Sequence, residues 1–233
     1  EPGRESVGRG HCRSVFCYGK DYRQHYDAEV QIVLYDTFAN WHDRPNTRVT
    51  SCLHEKFGIS WDWECGRYSI VIRPEIQEMA RCVSSFKNPV AIHYRGDSAQ
   101  HQKNLSEEQA AQICEVIEKR GDTPLILDWR PDPLSIRYRG VRSLGLDPVL
   151  GRDVEAQCAV ISQCKAFIGI DSGPSKCASA TETPALVIWT GHHPAPFHDP
   201  APNTTHLVPV GYHGLEPVCN DPGVIKWFEA NHK

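Results

Sequence analysis

The residues best placed to do chemistry form one short run, Ile170-Asp171-Ser172-Gly173-Pro174-Ser175-Lys176. It joins an apolar stretch, Ala166–Ile170 (AFIGI), directly to a segment that reads as a helix, Ser172–Thr181. Asp171 or Ser172 can cap that helix. Gly173 lets a ligand approach the backbone closely. Pro174 suits the first helical turn, where its missing N–H costs nothing. The free N–H groups and the dipole of a helix start favour an anion. Ser175 lies in the same turn, and Lys176 adds a positive charge. The same Asp-Ser-Gly-Pro run is also good cap chemistry for a helix that binds nothing.

Other candidates follow the ends of other apolar runs. Arg95, His101 and Lys103 lie in a polar loop, Arg95 to Asn104, after the run Pro89–Tyr94 (PVAIHY). Two or three cations at one edge suit a diphosphate, although a solvated loop has the same composition. Asp128 and Trp129 end another run, Leu127-Asp128-Trp129-Arg130. Trp129 can stack on a base or be an ordinary buried tryptophan; Asp128 can accept from ribose hydroxyls or a base. His192 and His193 head a Pro-rich loop, Gly191–Phe197, that reads as a rim, not as a metal site. Neither metal nor cofactor is expected. GxSxG, Walker A, GxGxxG and HExxH are all absent from the sequence.

These residues need a frame that gathers strand ends. Strands are predicted at Pro89–Tyr94, Pro124–Asp128, Ala166–Ile170, Ala185–Thr190 and His206–Val210, alternating with helices. The helix Glu107–Arg120 is well marked. Ser106 and Gln109 form a capping box, Leu105 and Ala110 a hydrophobic staple, and Gly121 ends it. A second amphipathic helix carries Val154, Cys158 and Ile161, and a terminal one spans Pro222–Asn231. Such alternation implies βαβ units in a parallel sheet. Right-handed crossovers then put every strand-to-helix turn on one edge, where ligands of these sheets bind. Upstream, strands are expected at Glu29–Tyr35 and Arg67–Ile72, and helices at Asn46–Phe57 and Glu75–Phe86. We divide the chain into residues 1–88, a partial or reduced N-terminal α/β segment, and residues 89–233, a Rossmann-like domain.

Bulk composition excludes some classes. With 25 Lys and Arg against 29 Asp and Glu, the net charge of −4 argues against a nucleic-acid partner. No run approaches the ~20 apolar residues of a membrane span, and no secretory leader pattern opens the chain, so a cytoplasmic location is expected. The ten cysteines are scattered without CxxC pairs and read as small core hydrophobes. Two glycosylation sequons begin at Asn104 and Asn203.

Phe167-Ile-Gly-Ile-Asp-Ser-Gly-Pro-Ser-Lys-Cys-Ala-Ser-Ala, followed by Thr183-Pro-Ala-Leu-Val-Ile-Trp-Thr-Gly, resembles the C-terminal domain of the heptosyltransferase-like glycosyltransferases of family 9, which have the GT-B fold. Ile92-His-Tyr-Arg95 with Lys103 downstream, and the loop from Gly191, are similar to the same family. The resemblance covers about Asn88 to Val210. It implies a nucleotide-sugar donor, ADP-heptose-like, held by the second domain. Asp171, Ser172, Gly173, Pro174 and Ser175 would face the diphosphate. Lys103, Arg95 and Lys176 would neutralise it, and Asp128 and Trp129 would sit near the nucleoside. The implied reaction is a metal-independent inverting transfer to a hydroxyl of a glycan or protein, with peripheral membrane contact through the acceptor.

Two departures qualify this. Lys176 stands where the family has His. Only 88 residues precede the second domain, against roughly 150 for a typical domain, so the family's catalytic carboxylate has no obvious counterpart. Asp36, at the end of a predicted strand, is the local substitute. A non-catalytic relative serving nucleotide-sugar binding or assembly, and an unrelated Rossmann-like domain, fit the same residues.

Overall fold

The computed structural model of the chain describes residues 69–97, 103–128, 130–146, 153–190 and 201–208. All belong to one compact unit. The expected elements Glu29–Tyr35, Asn46–Phe57 and Pro222–Asn231 lie outside the described residues, as do Asp36 and Trp129.

Six strands, β1 (Pro89–His93), β2 (Thr123–Ile126), β3 (Arg139–Gly140), β4 (Ala166–Ile170), β5 (Ala185–Ile188) and β6 (Thr204–Leu207), form one sheet in the order β3-β2-β1-β4-β5-β6. Every neighbouring pair is parallel; Ile92, for example, is flanked by Ile126 of β2 and Ile168 of β4. The α/β, Rossmann-like fold expected from the alternation is therefore observed. The order reverses between β1 and β4. The chain winds outward from β1 through β2 to β3, then returns across β1 and winds the other way. Connections from β1 and β4 leave in opposite directions, so the switch point, where sheets of this kind form a ligand crevice, lies beyond their C-terminal ends.

The helices are α1 (Pro74–Ala80), α2 (Glu107–Lys119), α3 (Leu134–Arg137), α4 (Val154–Ser162) and α5 (Gly173–Ala180). Strand residues alternate between two apolar layers. Val90, Ile92, Ile168, Ile170, Leu186 and Ile188 pack with Ala110, Ile113, Cys114 and Ile117 of α2. Ala91, Leu125, Phe167 and Ala185 pack with α4, α5 and the end of α1. Both faces are covered, which is why β4 and β5 read as continuous apolar runs. α2 begins as its sequence requires: Ser106 Oγ accepts from Gln109 N–H at 3.2 Å, and Gln109 Oε1 accepts from Ser106 N–H at 2.8 Å. It stops at Gly121, whose φ of 79° is left-handed. Gly169 is forced by packing, because a Cβ there would lie 2.6 Å from Phe167 Cζ and 2.8 Å from the His93 carbonyl oxygen. Only glycine lets Phe167 fold back across β4 while β1 stays close.

Several expectations needed correction. Residues 69–72 of the expected strand Arg67–Ile72 form no strand with the described residues; Ile70 and Ile72 reach the core while Val71 is 85% exposed. The alternation is real, but it packs an extended segment without a strand partner among the described residues. The expected helix Glu75–Phe86 changes to a tighter 3-10 turn at Arg81–Ser85. There the Ser84 and Ser85 hydroxyls donate to the carbonyls of Arg81 and Cys82, three residues back. The last strand begins at Thr204, earlier than expected, because pairing with β5 decides it. α3, β3 and the 3-10 turn Val141–Leu144 lie in a stretch with no periodic signal. Arg73, ahead of α1, donates from its backbone N–H and its Nε to Glu155 of α4, which pins α1 to the sheet's second face. Cys114, Cys158, Cys164 and Cys177 are buried free thiols, and burial pushes Cys114 and Cys164 each up to about 12. No helix among the described residues is long and apolar enough to cross a membrane.

Candidate functional site

β1 and β4 are neighbours, and their C-terminal ends face the crevice where the sheet reverses. From β4 the chain passes through Asp171 and Ser172 into α5. From β1 it passes through Tyr94 and a loop back to Lys103. The two segments meet in a charged cluster. Asp171 Oδ2 lies 3.0 Å from Lys103 Nζ, and Asp171 Oδ1 lies 3.7 Å from Lys176 Nζ. The side chains are 9% exposed for Asp171, 17% for Lys103 and 28% for Lys176. Water screens such charges only partly, so their field acts on whatever enters. Among the described residues two lysines face one carboxylate, at a helix start whose dipole favours an anion.

Lys103 is held from its backbone outward. Thr190, just past β5, donates its hydroxyl to the Lys103 carbonyl at 2.9 Å. Asn104 next door uses its side chain like a strand: Oδ1 accepts from Gly96 N–H at 2.8 Å and Nδ2 donates to the Gly96 carbonyl at 3.3 Å. Leu105 N–H donates to the Tyr94 carbonyl at 3.1 Å. Residues 94–96 and 104–105 are thus tied together, with Lys103 beside the tie. Lys176 sits over the Trp189 ring, its Nζ 5.8 Å from the centroid, and Trp189 is fixed by donating to His206 Nδ1 at 3.0 Å.

The turn into α5 carries its own order. Ser175 Oγ accepts from Ser172 N–H at 3.2 Å and donates to the Ser172 carbonyl at 2.8 Å. Ser175 is completely buried and Pro174 is buried in the first turn, so these two shape the turn from inside. Among the described residues, a Cβ at Gly173 would have nothing within 4 Å. Ser172 Oγ reaches across to β1 and lies 3.0 Å from His93 Nδ1. Burial pushes the His93 pKa down to about 4, against a smaller upward pull from Asp97 and Asp132, so its imidazole is neutral near pH 7.

The structure thus brings Lys103, Asp171, Ser172, Gly173, Pro174, Ser175 and Lys176 together. Arg95 takes another direction: it stacks on the Tyr94 ring and pairs with Glu107 at 3.3 Å. Asp128, at the end of β2, is 5% exposed; its Oδ1 accepts from Arg142 N–H at 3.0 Å, and its carboxyl packs where a Cβ on Gly140 would fall. It holds β3 and the following turn in place. Among the described residues no group of His, Cys, Asp and Glu is arranged to hold a metal ion. A cavity of about 410 Å³ lies elsewhere, beside residues that precede β4 and β5, and is lined by Ile70, Ile72, Ser162, Cys164 and Thr183 among others. That is the opposite edge of the sheet from the cluster.

Sequence reasoning missed His93, Asn104, Thr190 and Trp189 as parts of the site. His93 carried a usable signal, as a polar residue at the end of a buried parallel strand. Asn104 was masked by its sequon. The other sequon hides a structural residue too: Asn203 Nδ2 lies within 3.0 Å of the carbonyls of Ala178, Thr181 and Thr183, closing the end of α5.

Comparison with known proteins gave likeness in structure only. No protein-family model matches the chain, and no curated protein matches it. Among solved structures, the ADP-heptose LPS heptosyltransferase II of E. coli is 14% identical, covers 70% of this chain and 53% of its own, and has a TM-score of 0.50. The E. coli heptosyltransferase WaaC with ADP is 11% identical, covers 93% of this chain and 65% of its own, and has a TM-score of 0.50. A glycosyl transferase family 9 structure from Veillonella parvula DSM 2008 is 15% identical, with coverages of 70% and 53% and a TM-score of 0.48. The chain spans about half the length of the first two matched structures of this group. The likeness is one of fold, and it agrees with the resemblance to heptosyltransferases carried by the Asp-Ser-Gly-Pro run.

Proposed function

We propose that residues 89–233 form the donor-binding domain of a glycosyltransferase and that the crevice between β1 and β4 takes the diphosphate of a nucleotide sugar, ADP-heptose-like in size and charge. The observation that carries this reading is the Lys103–Asp171–Lys176 cluster at the start of α5, on the reversal point of the sheet. Lys103 and Lys176 supply cations to the two phosphates. The Ser172 hydroxyl and the Gly173 N–H donate to phosphate oxygens. Gly173 leaves room for close approach. Asp171 keeps the lysines in place without ligand and is near enough to accept from hydroxyls of the donor sugar. Asp128, with its carboxyl packed against Gly140, bears on the nucleoside through the turn it holds, and Trp129 is the candidate partner of the base. Arg95 reaches the donor only by exchanging Glu107 for phosphate.

The chemistry is an inverting displacement. The acceptor hydroxyl attacks the anomeric carbon from the face opposite the diphosphate and loses its proton to a base. The bond from the anomeric carbon to the diphosphate oxygen breaks, and the nucleoside diphosphate leaves with the electron pair. The two lysines and the helix start offset that growing charge, a role that needs no metal. Asp36, in the acceptor-side segment 1–88, is the candidate base. The acceptor is a glycan or protein hydroxyl, met in the cytoplasm and, where it is lipid-linked, at the membrane surface.

The test is a binding and turnover panel with ADP, UDP and GDP and their sugars, read by calorimetry and thermal shift. Binding of one nucleoside diphosphate in the micromolar range, lost in Lys103→Ala and Ser172→Ala, supports the reading. No binding by any member refutes the donor site. Binding without transfer to any hydroxyl acceptor supports the non-catalytic alternative, and transfer that survives loss of Asp171 counts against the assignment of this turn.

A further inference from the structure

The contact between His93, the last residue of β1, and Ser172, two residues past β4, adds nothing to the strand pairing, which already runs from Val90–Ala166 to His93–Gly169. What it does follows from counting protons. Ser172 Oγ carries one proton and two lone pairs. Three protein groups face it: the Ser175 N–H of the capping box, which only donates, the Ile170 carbonyl at 3.2 Å, which only accepts, and His93 Nδ1 at 3.0 Å, which accepts or donates according to tautomer. With Nδ1 bare, it competes with any phosphate for the hydroxyl proton, and Ser172 then turns only lone pairs towards the anion. With the proton on Nδ1, the imidazole donates to Ser172 Oγ and the hydroxyl proton is free to point at a phosphate oxygen. A phosphate ester oxygen accepts and does not donate, so the second arrangement favours a bound diphosphate: it leaves the weaker Ile170 carbonyl contact as the phosphate's competitor for the hydroxyl proton.

We propose that His93 is a positioning residue for Ser172: its Nδ1–H tautomer holds the serine oxygen at the reversal point of the sheet and directs the serine O–H to a phosphate oxygen of the bound nucleoside diphosphate. This rests on the donor-site reading above. The imidazole meets no reacting atom and transfers no proton. It fixes the direction of one hydrogen bond that must be made when the ligand arrives and kept as the diphosphate leaves. The neighbouring groups fit this role. Asp97 and Asp132 are the charged groups acting on His93, and both pull towards protonation, yet burial outweighs them and the ring stays neutral. A neutral ring has a tautomer to choose; an imidazolium would donate from both nitrogens whatever was bound.

A double-substitution cycle on the full chain tests this, using whichever of ADP, UDP or GDP binds the wild type. Ser172→Ala and His93→Leu are each expected to weaken binding about 10-fold, the effect of one charge-assisted hydrogen bond. The double variant is expected to be no weaker than Ser172→Ala alone, because His93 acts only through the serine hydroxyl. His93→Asn, which can place an amide N–H near Nδ1, is expected to stay within about 3-fold of wild type. Independent multiplying losses, or wild-type affinity in His93→Leu, overturn the proposal while leaving the donor site standing. If His93→Leu does not fold, nitrogen-15 NMR of the wild-type histidines decides: a shift of one imidazole to the Nδ1–H form on adding the nucleotide supports the proposal, and a bare Nδ1 in the complex overturns it. No binding by the wild type sinks both this proposal and the reading beneath it.

Discussion

Replacing Lys103 by Met separates the ion pair's structural role from its binding role. Its Nζ sits 3.0 Å from Asp171 Oδ2, and both groups are largely shielded from water. Without it, Asp171 keeps only Lys176 at 3.7 Å. The unliganded fold should lose about 1–3 kcal/mol, the cost of leaving a buried polar group under-satisfied, and less than a fully broken buried pair because Lys176 remains. A phosphate oxygen in the crevice would lose a charge-assisted hydrogen bond of about 1.5–3 kcal/mol, so Kd should rise about 10- to 100-fold. Asp171→Asn makes the contrasting case. Unit charges about 5–6 Å apart at an effective dielectric near 20 repel by about 3 kcal/mol, and solvent at the crevice mouth cuts this to about 1 kcal/mol. A nucleoside diphosphate without its sugar should therefore bind Asp171→Asn about five-fold more tightly than wild type, although the variant is less stable. Calorimetric titration of both variants with the same nucleotide, beside urea melts, reads the two effects. If Lys103→Met binds within about 3-fold of wild type while Asp171→Asn binds more weakly, the lysines are not the anion's partners and the account of the cluster is wrong.

Three further outcomes follow from the structure. His93, unfolded, titrates near 6.5 and in the fold near 4, so between those values the unfolded chain binds more protons; stability is fully present above about pH 6.5 and is lost as pH falls towards 4, by up to about 3 kcal/mol, and the pH slope of urea stability should flatten over that window in His93→Asn. Gly169→Ala should cost about 1–3 kcal/mol through overpacking against Phe167 and the His93 carbonyl, and a thermal melt matching wild type would disprove the close approach described for β1 and β4. Asn203→Ala should lower the melting temperature by removing about 1–2 kcal/mol of hydrogen bonding at the end of α5, with nucleotide affinity unchanged because the far end of the helix is intact.

Where a local signal and the fold agreed, the sequence was readable. β4 and β5 are short apolar runs because both their faces are buried, and α2 announces itself by a capping box, a staple and a left-handed glycine. The turn at Asp171–Lys176 was readable as a helix start for the same reason: cap chemistry is local. β3 was not, because two residues pairing with β2 leave no period to detect. The segment 69–72 misled because alternation reports two faces, not a hydrogen-bonded neighbour. The pairing of Asp171 with Lys103, sixty-eight residues away, and of Ser172 with His93, seventy-nine away, depends on β1 lying beside β4, and no local pattern encodes strand order.

The Asn104–Gly96 pair has a consequence for how this crevice could be altered. The bonds tie residues 94–96 to 104–105, and Thr190 holds the Lys103 carbonyl, so three short segments together fix the backbone beside the lysine. A substitution at Asn104 would therefore act on the crevice at one remove, through the backbone that carries the charge and not through the charge itself.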